Sequence, residues 1–123
     1  MKSDIFLRYT IVAVLLMHGV TALVNGSITG FGRHLNDIGF APAGIVLAFL
    51  IKISHVVCAA LLVLNKYVKW ACVITIFILV MGIILVHGKN GWFVIGGGTN
   101  GVEFNLLLIA GLLHFFFQSS KWK

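Results

Sequence analysis

Residues 74–86 read ITIFILVMGIILV, an unbroken apolar run with a single hydroxyl and no charge. Apolar and polar residues do not alternate in it. That excludes a transmembrane barrel strand, whose segments of about 10 residues switch between lipid-facing and lumen-facing side chains. Extended to 70–87, the run has the character of a bilayer-crossing helix, which needs about 20 mostly apolar residues. Its β-branched residues do not oppose that reading, because in lipid every backbone N–H and C=O must be paired internally. Working outward, the stretches 5–24, 43–64 and 102–119 read the same way. The four spans occupy most of the 123 residues and leave no room for a water-soluble domain. The expected fold class is all-α, an integral membrane four-helix bundle forming one domain over 1–123.

Composition agrees. Hydrophobic residues make up 60% of the chain and charged ones 10%, with a mean hydropathy of +1.09. A soluble domain this small hides only about 60–70% of its unfolded surface, so lipid must be part of its solvent. The same figures exclude a disordered tail, a disulfide-stapled secreted domain and a nucleic-acid binder.

The net charge of +6 comes from 9 Lys and Arg against 3 Asp and Glu. Lys2, Arg8, Lys66, Lys69, Lys121 and Lys123 fall at the termini and in the connection between the second and third spans. Arg33 and Lys89 fall in the other two connections, and Lys52 lies inside a span. The positive-inside rule then makes both termini cytoplasmic, with Trp70 and Trp122 at that interface and Trp92 at the opposite one. Lys2 and Arg8 ahead of an apolar stretch resemble a signal peptide, but no small-x-small site follows before Asn25, so a retained helix is expected.

The two outer connections are unusual. Residues 25–42, NGSITGFGRHLNDIGFAP, are too glycine-rich to span, yet Phe31, Leu35, Ile38 and Phe40 give them an apolar side. A short interfacial helix over 31–38, ended by Gly39 and Pro42, is expected. Residues 88–101, GKNGWFVIGGGTNG, contain six glycines; a loop so long and apolar is more often functional or tucked in than freely solvated. His18-Gly19 and His87-Gly88 form a weak internal echo, each closing an outward-going apolar helix, as two helix-pair repeats would produce.

Ionisable residues inside a span cost about 2.5–3.5 kcal/mol each and need a reason. His18, Lys52, His55, His87 and Glu103 fall in the outer half or near the midplane and are expected to line one outward-opening cavity. Ala48, Lys52, His55 and Ala59 share one stripe of the second span. His18, Thr21 and Asn25 share one on the first, and Glu103, Leu107, Ala110 or Gly111, and His114 one on the fourth. Small residues beside polar ones mark helix seams in lipid. Glu103 is the only acid within any span, which makes a Lys52–Glu103 ion pair, bridged by His55 or His18, the economical arrangement. His18, His55, His87 and Glu103 are the candidate catalytic residues. Lys52, Asn90, Gly97, Gly98 and Asn105 are the candidate substrate or anion ligands, with the glycine-run amides ahead of the fourth helix as a further anion contact. His34 and His114 read as ordinary hydrogen-bonded or interface residues. HxxxH, ExxH and CxxCH spacings are all missing, so no metal site is expected. Cys58 and Cys72 form no CxxC and read as small apolar fillers.

LLMHG in the first span, GF-P before the second, HG-NGWF after the third and GGG-NGVEFNLLL opening the fourth resemble the DoxX family of small four-span bacterial membrane proteins. The likeness runs over about 5–118 and is most specific over 87–108. One departure stands out: family members often carry a glutamate in the middle of the second helix, where this chain has His55. The resemblance implies a multi-pass protein of the bacterial inner membrane. It also implies a membrane subunit supporting quinone-linked oxidation of a small sulfur compound, of the thiosulfate:quinone oxidoreductase type. Quinone and a partner redox subunit would then be its associates, alongside the bilayer and further copies of itself, with no nucleic acid. The alternatives from the residues are a non-catalytic assembly subunit, docking through Phe115, Phe116 and Phe117, or a small-solute carrier.

Overall fold

The computed structural model describes residues 4–93 and 101–123, and among these the chain is helical with no strand. The helices are α1 (Ile5–Asn25), α2 (Ser27–Leu35), α3 (Gly44–Leu64), α4 (Val68–Leu85) and α5 (Glu103–Gln118). α1, α3 and α4 are long and apolar enough to cross a membrane, whereas α5 is an apolar helix of 16 residues. At 1.5 Å per residue α5 extends about 24 Å, less than the ~30 Å hydrocarbon core. The four expected spans thus appear as four helices, with ends displaced by a residue or two. The chain divides into two compact units, Met1–Asn65 and Lys66–Lys123.

In the first unit α1 and α3 run antiparallel. Near one end, Arg8 Nη1 donates to the Leu62 carbonyl at 2.7 Å, so a cation occupies the negative end of α3 and satisfies one of its last carbonyls. Further along, the backbones approach closely at Gly19. A Cβ there would stand 2.7 Å from Val56 Cγ2 and 2.9 Å from the Lys52 carbonyl oxygen. The buried line of α1 is Ile11, Val12, Leu15, Gly19 and Ala22. His18, Thr21 and Asn25, expected on the seam, are exposed instead. The seam lies one residue further round the helix because the hydrogen-only Gly19 and the methyl of Ala22 allow the close approach, and an imidazole does not.

The short helix expected over 31–38 begins earlier. Gly26 ends α1 in a left-handed conformation (φ 78°). Helix restarts at once, with Ser27 N–H donating to Asn25 Oδ1 at 2.9 Å and Thr29 Oγ1 to the Gly26 carbonyl at 2.9 Å. α2 is followed by a π-helical turn over Asn36–Phe40, broken at Gly39, whose φ of 118° only glycine adopts readily. Ile28 and Leu35 of α2 bury against Ala48 of α3, with Phe31, Ile38, Phe40, Leu47 and Ile51 around them. The crossing is made by glycines: Gly32 faces the Ile45 backbone, and a Cβ at Gly44 would strike the Gly32 carbonyl. Asn36 Oδ1 accepts the Gly44 N–H at 2.8 Å. A residue eight positions upstream therefore satisfies the first amide of α3.

The second unit is again an antiparallel pair. Val68, Ala71, Cys72, Thr75 and Leu79 of α4 are its buried line, and Asn105, Leu108, Gly111, Leu112 and Phe115 that of α5. Lys69 Nζ donates to the Phe116 carbonyl at 2.9 Å and lies 4.0 Å from the Phe116 ring centroid. Asn105 Nδ2 donates to the Leu79 carbonyl at 3.1 Å across the seam. Interhelical hydrogen bonds of this kind contribute about 0.6 kcal/mol in membranes, at most about 1.7. Asn105→Leu should therefore lower unfolding stability in detergent by about 1 kcal/mol while leaving helix content by circular dichroism unchanged.

The expected α5 stripe is turned as well. Glu103 is only half-buried, Leu107, Ala110 and His114 are exposed, and of that set only Gly111 is buried. Asn105 finds its partner on α4, and the bulk of Leu108, Leu112 and Phe115 follows it into the seam. Phe115 is fully buried (0%) while Phe117 is 75% exposed, so the phenylalanine triplet is not one outward surface.

The buried lines of the two helix pairs share their spacing, as helix faces of period 3.6 do. Ile11, Val12, Leu15 and Gly19 recur in spacing at Ala71, Cys72, Thr75 and Leu79. His55, Cys58, Ala59 and Leu62 recur at Leu108, Gly111, Leu112 and Phe115. Arg8 and Lys69 close the two pairs alike. His18-Gly19 and His87-Gly88 are not equivalent: the first lies within α1, the second beyond the end of α4.

Candidate functional site

The polar groups of the first unit gather where α1 and α3 approach. The expected α3 stripe is present: Ala48 and Ala59 are fully buried, His55 is 7% exposed, and Lys52 is half-buried. Lys52 lies about 12 Å and His55 about 16 Å along α3 from Gly44, at 1.5 Å per residue, which puts His55 near mid-helix. Gly19 admits the α3 backbone at Lys52 and Val56, so His18 stands next to the contact. Both His18 and Lys52 lie within electrostatic reach of the His55 ring. The Lys52 ammonium is 5.1 Å from the Phe31 ring centroid, a cation–π contact that α2 supplies from above.

His55 Nδ1 is buried and has no hydrogen-bond partner among the described residues. An unsatisfied buried polar atom costs about 1–3 kcal/mol, so its retention calls for a reason. His34 Nε2 and Thr75 Oγ1 are in the same position, but Thr75 is fully buried in an apolar seam and His34 belongs to the short helix α2.

In the second unit His87 opens a 3-10 turn, His87–Asn90, beyond α4. Its Cδ2 would lie 3.7 Å, and Asn105 Nδ2 3.4 Å, from a Cβ built on Gly82. His87 and Asn105 therefore come together over that glycine. Asn90 is exposed, and its Nδ2 reaches the Val86 carbonyl at 3.4 Å. Glu103 is the first residue of α5, where a carboxylate interacts favourably with the positive helix end. The Val102 and Glu103 amides donate to the Gly91 and Trp92 carbonyls at 3.0 Å each. Gly97 and Gly98 lie outside the described residues.

The structure thus brings together His18, Lys52 and His55 in one unit, and His87 and Asn105 in the other. Lys52 lies in the first unit and Glu103 in the second. No three His, Cys, Asp or Glu cluster as metal ligands among the described residues. Cys58 and Cys72 are buried thiols, 2% and 0% exposed, as fillers should be. Sequence reasoning missed two determinants of the site. The first is Gly19 as the point of approach, which a search for small residues on the first span would have found. The second is the Phe31 ring over Lys52, which needed the fold of α2.

Three apolar helices long enough to cross lipid, with a buried histidine in the α1–α3 seam, define an integral membrane protein. The family model DoxX matches residues 3–88, and the chain belongs to the DoxX family. That match covers α1 to α4, and the segment 87–108 lies almost wholly beyond it. No significant match was found among curated proteins or solved structures.

Proposed function

We propose that this chain is a membrane subunit of a quinone-linked oxidoreductase acting on a small sulfur compound, of the thiosulfate:quinone oxidoreductase type. It would be set in a bacterial inner membrane with both termini cytoplasmic. The observation that supports this reading is the orphaned Nδ1 of His55, buried in the α1–α3 seam beside Lys52 and His18. The residues suit a quinone head group. An imidazole offers a ring N–H or a lone pair to a carbonyl or hydroxyl oxygen, and the Phe31 ring lies alongside Lys52. When bound, a quinone supplies the two-electron, two-proton acceptor. The chain's own residues do the rest. His55 gives up a proton at Nδ1, exposed His18 returns one to it from water, and Lys52 holds positive charge for a sulfur oxyanion. His87 and Asn105 would contribute a second polar position, and Glu103 a proton acceptor at the head of α5.

The test is reconstitution in vesicles with co-purifying partner subunits, following short-chain quinone binding and thiosulfate-dependent quinone reduction. Saturable binding and reduction are expected. A chain that does neither, alone or with its partners, is not such a subunit. A non-catalytic assembly role keeps Phe117 as its exposed contact and separates cleanly. Phe117→Ala should leave quinone reduction within about twofold of the starting rate, since an exposed apolar side chain away from special features contributes little, whereas an assembly subunit would lose its complex on pull-down.

A further inference from the structure

The end of the second unit that carries Lys69 has a feature the redox reading does not use. Beyond α5 the chain leaves the helix at Ser119 and turns back along the α4 start. Trp122 comes to rest with its ring centroid 5.0 Å from Trp70 and 5.7 Å from Phe116. Lys69 Nζ lies 5.6 Å from the Trp122 ring. Residues more than fifty positions apart are thereby gathered at one end: Lys66, Lys69 and Trp70 from the α4 start, with Lys121, Trp122 and Lys123 from the tail. Lys66, Lys121 and Lys123 are exposed, and Trp70 and Trp122 are about half exposed. Glu103, the only carboxylate side chain of this unit, heads α5 at its other end.

We infer that this lysine–tryptophan end is a binding surface for anionic phospholipid head groups of the adjoining leaflet. The chemistry recommends that occupant. Indole rings settle at the head-group level of a bilayer, which fixes the depth of the lysines beside them. Clustered lysines at a helix end attract acidic lipids, each contributing roughly a fivefold gain in affinity. Lys69 is committed to the Phe116 carbonyl and ring and acts as the fixed post of the patch. Lys66, Lys121 and Lys123 supply the recruiting charge. Lysines with no acidic side chain of their own unit at this end distinguish the surface from a docking site for a basic or apolar partner.

The test uses the full chain in nanodiscs and native mass spectrometry, counting retained phosphatidylglycerol against phosphatidylcholine. The compared proteins are the starting chain, K66Q/K121Q/K123Q, and R33Q/K89Q, which removes charge from the other connections. The expected result is preferential, salt-sensitive retention of phosphatidylglycerol by the starting chain and by R33Q/K89Q. The triple variant should bind it on the order of a hundredfold more weakly, with unchanged helicity. Inorganic phosphate at matched ionic strength should compete no better than chloride. Equal retention of both lipids, equal loss in the two variants, specific competition by free phosphate, or retention of an acidic protein in place of lipid would each overturn the proposal.

Discussion

Gly19→Leu is expected to separate α1 from α3 and to be the most damaging single change in the first unit. At Gly19 even a methyl would stand 2.9 Å from the Lys52 carbonyl oxygen and 2.7 Å from Val56 Cγ2. The carbonyl belongs to helical backbone and cannot rotate aside. Overpacking of this kind costs about 1–3 kcal/mol, and a leucine, which adds three further carbons, should lie at the top of that range. Gly19→Ala should cost less and be partly recovered by Val56→Ala, which removes the closer of the two clashes and leaves the other. Thermal unfolding in detergent, with the pair compared against each single change, measures the coupling. If Gly19→Leu melts with the starting chain, the two helices do not approach as described.

His55→Leu should behave in the opposite way, losing function while keeping or gaining stability. Replacing an unsatisfied buried ring nitrogen by an apolar side chain removes a desolvation penalty of about 1–3 kcal/mol, against some loss of fit. A residue retained for packing would show the reverse. Removal of a proton-handling group typically lowers turnover by about 10²–10⁴. Under the proposed function, quinone reduction should fall by that factor, with the melting temperature unchanged or raised. Stability gained where activity is lost is the signature of a site kept polar for its chemistry. Full activity in His55→Leu would remove His55 from the proposed proton path and leave its burial unexplained.

The helices were legible because their signal is summed over about 20 residues each, and no single position decides it. Which side of each helix turns inward was less so. On α3 the stripe Ala48–Lys52–His55–Ala59 stood out because small and polar residues coincided there. On α1 the polar positions His18, Thr21 and Asn25 drew attention from Gly19 and Ala22, although the closeness of two backbones is decided by the smallest side chains. On α5 the only acid, Glu103, pointed to one face. The seam follows Asn105 instead, whose amide has a carbonyl to reach on α4. The start of α2 was hidden because a left-handed Gly26 restarts helix within one residue, a geometry set by Asn25 and Thr29 hydrogen bonds that composition does not reveal.

The two basic residues that close the helix pairs bear on how such a chain is made. Arg8 and Lys69 each precede by some fifty positions the carbonyls they meet, at Leu62 and Phe116. As the ribosome adds residues in order, each cation is made before its acceptor. The last turn of each pair is thus fastened on arrival. The nascent protein can enter the bilayer in two instalments, the first complete before the second has begun.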